Sequence, residues 1–317
     1  MDKKEIYHRY DWRSHNACAS LNCIGDAMTD VISAVVDPLL RKYGIPVWVK
    51  PYLNEYVRSD PVNAIKRATS FVDVKRKKGQ VTNNSVILPN NTTFKIESVV
   101  GIVSLFFYGE ERSVQIAEKW SSKPDYLNKE YVKHFSEMVE IEKKHLRAIK
   151  NLLEGLGHTP VPPSETVKEV FDYIENLQDW NERLIATNII IKSAYGTTFG
   201  MMFYKVFYFV MPEYMRSFGK AFDYQGEEIE WGFEEAKRII SEKRIGEDRL
   251  IEISERILTL ISKTINSEML FAEEAGIKNE AELVKKVALA YPLHIYSDLG
   301  VNIDIGKELK KIYKESE

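Results

Sequence analysis

Four helix-length runs of apolar periodicity, two close pairs held apart by one long connection, constrain this chain more than any other feature of its sequence. The first run reads from about Glu97 to Trp120, the second from about Asn128 to Leu153, the third from about Asp179 to Val210 and the fourth from about 213 to 241. Apolar residues recur in each at the three- and four-residue spacing that lines one face of an α-helix. Short links join the first run to the second and the third to the fourth, so each pair is expected to lie antiparallel. Gly155 and Gly157 end the second run, and Pro160, Pro162 and Pro163 keep it ended. A short helix expected over Glu165–Leu177 then fills a connection long enough to cross the length of a bundle. Two helical hairpins joined by one crossover predict an all-α four-helix bundle.

The flanking sequence divides the chain into three parts. Residues 1–96 form an N-terminal extension, 97–241 the bundle, and 242–317 C-terminal helices packed on it. In the extension, Leu21, Ile24, Met28, Val31, Val35 and Leu39 predict a helix over 16–43, stopped by Gly44 and Pro46. Val86-Ile87-Leu88 and Thr93-Phe94-Lys95-Ile96, on either side of Pro89-Asn90-Asn91, predict a small hairpin, with strands confined to residues 80–96. After the bundle, helices are expected over Glu247–Ala275, 279–291 and 304–316. The balance of 44 basic against 47 acidic residues excludes a chain that coats nucleic acid, and Lys75-Arg76-Lys77-Lys78 reads as a solvated loop. The one apolar stretch of membrane-spanning length, Asn188 to Met211, carries Lys192 and Lys205 and reads as a buried helix. Cys18 and Cys23 are too few for a disulfide framework or a four-cysteine zinc site. No basic segment followed by an apolar one opens the sequence, so a cytoplasmic setting is expected.

Three of the runs carry carboxylates where apolar residues belong. In the second, Glu142 and His145 lie three residues apart, on or beside the stripe of Met138, Ile141, His145, Ile149 and Leu152. A carboxylate in a helical core is costly unless it is paired or metal-bound. Glu-x-x-His is the ligand pair of dinuclear carboxylate bundles. In the first run Glu110 interrupts the row Val103, Phe106, Val114 and Ala117, with Glu111 in reserve. In the third, Glu182 shares a face with Ile185, Ala186 and Ile189, while an α-helical wheel turns Arg183 and Lys192 elsewhere. Tyr195, Phe199 and Phe203, with Phe106 and Phe107, are candidates to line an apolar pocket.

Glu110, Glu142-x-x-His145 and Glu182, taken with the order of helices and the crossover, resemble the ferritin-like di-iron carboxylate superfamily over residues 97–241. The stretch Phe203 to Phe207 and Glu213 to Arg216 is similar to its oxygenase and ribonucleotide reductase small-subunit branch, with phenylacetyl-coenzyme A epoxidase subunits nearest. The resemblance implies a metal-dependent oxidoreductase with two iron ions, or one, or manganese. Dioxygen and a small apolar molecule would be its substrates and a homo- or hetero-oligomer its assembly, with neither nucleic acid nor membrane as partner. Glu110 would bind terminally, Glu142 and either Glu182 or Glu228 would bridge, and His145 would supply nitrogen. The departure lies in the fourth run, where the superfamily carries a second Glu-x-x-His. Glu228 can be carried over, with Glu213 its rival, but Trp231 stands at the histidine position. That substitution also fits a non-catalytic partner subunit with a degenerate site.

Overall fold

A computed structural model of the chain describes residues 79–88, 91–122, 129–197 and 225–316, together with Tyr52, Glu55 and Met211. The expected helix over 16–43, the basic run Lys75–Lys78 and the rival ligand Glu213 lie outside the described residues, as do Phe199 and Phe203.

Three short strands open the described fold: β1 (Gln80–Val81), β2 (Ser85–Ile87) and β3 (Thr93–Lys95). They form an antiparallel sheet in the order β1-β2-β3, so the expected hairpin gains a third strand. Among the described residues, strands are confined to this region. Val86 and Phe94 face each other across β2 and β3 and are buried, while the residues beside them are more exposed. Lys95 pairs with Glu274 at 2.7 Å and ties the sheet to a distant helix.

The chain passes from β3 straight into α1 (Ile96–Ser121), which packs along α2 (Lys129–Gly155). Gly157, at φ +78°, takes the left-handed conformation past the end of α2, and His158 N–H bonds back to the Leu153 carbonyl at 2.9 Å. The connection that follows α2 is pinned to α1, because Ser104 Oγ accepts from Val161 N–H at 3.0 Å. Within it, α3 (Glu165–Asn176) is capped by Ser164. Asp179 then caps α4 (Trp180–Leu184), accepting from the N–H groups of Asn181 and Glu182 at 2.7 and 3.1 Å.

The expected third α-helix changes character after one turn. Ile185–Thr197 is a π-helix of 13 residues, wound on i→i+5 hydrogen bonds, each residue turning less than in an α-helix. It packs against α5 (Gln225–Ser241), α6 (Glu247–Glu274) and α7 (Lys278–Asp298). Gly232 permits one of these approaches: a Cβ there would fall 2.5 Å from Asn188 Nδ2. Helix α7 continues through Pro292, past its expected end, because Leu293, Ile295 and Tyr296 beyond the proline are buried in the core. The last helix is α8 (Ile305–Ser316). No helix among the described residues is long and apolar enough to cross a membrane.

The described apolar residues form two main clusters. One gathers the C-terminal half of α1, the N-terminal half of α2, and α3 through α8, with Trp120, Phe135 and Tyr296 among its largest members. The other joins the sheet to the N-terminal half of α1 and the C-terminal half of α2, through Val86, Phe94, Val103, Ile149 and Leu153. The helices after residue 242 therefore complete the first core together with the π segment.

Candidate metal centre

Between those two clusters the α1–α2 pair carries a buried polar group. Glu110 projects from α1 between Val103 of one cluster and Ile116 of the other. On α2, Glu142 and His145 lie between Val139 and Ile149. Ligand atoms of the three side chains lie within 4.8 Å of one another. His145 is fully buried, Glu142 is 3% exposed, and the Glu110 side chain is 12% exposed. His145 Nδ1 stands 2.9 Å from Glu142 Oε2 and 3.3 Å from Glu110 Oε2. Glu110, rather than Glu111, thus joins the cluster.

Electrostatics bind the three groups into one unit. Burial alone would lower the His145 pKa, but the charge and hydrogen bond of Glu110, with those of Glu142, outweigh it and raise the value to about 10. Burial and the Glu110 charge push Glu142 up to about 7. Burial opposes ionisation of Glu110 as well, but hydrogen bonding to Glu142 and the His145 charge hold it below the usual carboxylate value. A value near 10 keeps the imidazole protonated at neutral pH, with Nδ1 in hydrogen-bond reach of both Glu142 and Glu110.

Two carboxylate oxygens and one imidazole nitrogen, all shielded from water, suit a divalent transition ion better than calcium or magnesium, which favour oxygen-only shells. The group can therefore hold a metal ion, with Glu110, Glu142 and His145 as its ligands.

The remaining sequence candidates lie elsewhere. Glu182 does not join the group. Arg249, at the start of α6, takes it in a two-pronged pair, Nε to Oε1 at 2.8 Å and Nη2 to Oε2 at 3.1 Å. The Glu182 carboxylate thus has a guanidinium partner from a helix outside the four expected runs. Glu228 lies on α5, but its side chain is outside the described residues. Trp231 stacks on His134, ring centres 3.7 Å apart and planes within 20°. Its edge meets Phe135, which also contacts Trp120 and Trp180. Burial and the nearby Lys192 charge lower the His134 pKa to about 4, so this imidazole is neutral.

Lys192 departs most from the sequence expectation. Instead of turning away, its ammonium reaches to 3.8 Å from Glu142 Oε1, with its side chain 10% exposed. The slower turn of the π-helix accounts for this, since ten residues beyond Glu182 a π segment and an α-helix face different ways. No compositional signal in Ile185–Thr197 announces that winding.

No family model, no curated protein and no solved structure matches this chain.

Proposed function

We propose that the chain is a metal-dependent oxidoreductase whose centre is Glu110, Glu142 and His145, loaded with iron or manganese, and that it turns dioxygen on a small apolar substrate. The observation that carries this reading is the buried convergence of the three ligand atoms within 4.8 Å. Burying two carboxylates and an imidazole costs several kcal/mol of desolvation, and a bound cation offsets that cost. The resemblance to di-iron carboxylate bundles supplies the reaction class. When bound, the metal contributes one-electron chemistry with dioxygen.

The chain's own residues have definable roles around that ion. His145 gives up its Nδ1 proton and presents nitrogen. Glu110 and Glu142 give anionic oxygen and orient the imidazole. The apolar clusters on both sides keep bulk water out of the α1–α2 seam. A specific observation favours a second reading, a partner subunit with a degenerate site: Arg249 occupies Glu182, the residue that the resemblance assigns as a bridge.

Oxygen consumption separates the two. The full-length protein is loaded anaerobically with ferrous iron and mixed with aerated buffer in an oxygen electrode. The oxidoreductase reading predicts uptake faster than that of the same iron in buffer, lost in Glu142→Gln. Uptake equal to free iron in both proteins favours the partner reading.

A further inference from the structure

The two oxygens of Glu142 face two different cationic groups. Oε2 meets the imidazole of His145 at 2.9 Å, and His145 Nδ1 is also 3.3 Å from Glu110 Oε2. Oε1 stands 3.8 Å from the ammonium of Lys192. A carboxylate that bridges a pair of metals presents one oxygen to each ion. Here the second oxygen has a lysine.

That lysine is placed by the backbone. The π-helix Ile185–Thr197 rotates Lys192 toward α2, and the side chain is nine-tenths buried, so water and salt screen its charge weakly. A second nitrogen ligand is also missing at the position where the resemblance expects one. Trp231 carries an indole N–H that donates and has no lone pair for a metal. Its ring covers His134 at 3.7 Å.

The ammonium stands against the oxygen that a bridging carboxylate would offer to a second ion, and in a poorly screened interior it repels a further divalent cation there.

We propose that Lys192 is a built-in second cation, and that the centre takes a single divalent ion on Glu110, Glu142 Oε2 and His145 Nδ1. The inference rests on the metal-centre reading above and specifies it: a one-ion site with an ammonium on the outer oxygen of Glu142.

Manganese(II) is a suitable probe, added to chelator-stripped full-length protein at pH 8. Bound metal is counted after gel filtration, and affinity is measured by competition with a chelating dye. Wild type should retain one manganese per chain. Lys192→Met should bind that ion on the order of tenfold more tightly, because a like charge beside it is gone, while Lys192→Arg should stay within about threefold of wild type. Two manganese ions per wild-type chain would overturn the inference and leave the metal-centre reading standing. Unchanged or weaker binding in Lys192→Met would also overturn it, showing the lysine to be a packing group. No manganese in wild type at any concentration would sink both. Should Lys192→Met fail to fold, the wild-type count decides alone.

Discussion

At the scale of single residues, the behaviour of the centre is governed by competition between a proton and a metal. His145 binds its proton more tightly when folded, with a pKa near 10 against an ordinary 6.5, and Glu142 does the same, near 7 against 4.5. Both raised values make folding take up protons. Their stabilisation is complete below the ordinary pKa of each group and is lost as pH rises through the folded one. Glu110, shifted down, acts in the opposite sense, and its contribution fades only as pH falls below the carboxylate range. The metal-free protein should therefore melt several degrees lower at pH 9.5 than at pH 7, and His145→Gln should flatten that slope. Differential scanning calorimetry in the presence of chelator measures it, and an equal slope in both proteins would remove His145 as its source. Metal affinity should run the other way and tighten with pH, because the ion must displace the Nδ1 proton.

At the scale of elements, the π-helix Ile185–Thr197 decides which side chains reach the centre. Periodicity over α1 and α2 was readable directly, and so Glu110, Glu142 and His145 could be named as neighbours from the sequence. Lys192 could not, because its direction depends on a hydrogen-bond pattern that leaves no mark in composition. Glu182 failed for a different reason. Its partner Arg249 comes from α6, and local spacing carries no information about contacts across 67 residues. Arg249→Ala should leave the partly buried Glu182, 15% exposed on its side chain, without this guanidinium. For a pair this accessible on the arginine side, the cost should be modest, about 1 kcal/mol. Urea unfolding checks this, and a loss well above that figure would make the pair a keystone of the α4–α6 contact. Gly232 offers a sharper test of the π segment. Alanine there places a methyl 2.5 Å from Asn188 Nδ2, and the overpacking should cost about 1–3 kcal/mol. A neutral Gly232→Ala would mean that α5 and the π segment sit further apart.

At the scale of the whole molecule, the centre occupies the seam between two apolar clusters to which both α1 and α2 contribute. Element order and the helices after residue 242 follow from periodicity and turn residues. The division into two cores does not, because it depends on which helix faces meet. A ligand set at such a seam couples metal binding to the stability of both halves. Binding to the folded state alone stabilises by RT ln(1 + [L]/Kd), about 2.7 kcal/mol at a hundredfold excess over Kd. Manganese or ferrous iron should accordingly raise the melting temperature of the chelator-treated protein, and the rise should vanish in Glu110→Gln.

The central claim, that Glu110, Glu142 and His145 are metal ligands, is tested most directly by elemental analysis of the purified full-length protein beside His145→Ala and Glu142→Gln. The account predicts close to one equivalent of iron or manganese in wild type, and its loss in both variants while circular dichroism retains the helical spectrum. Wild-type protein that holds no transition metal even after loading, or variants that keep it in full, would contradict it.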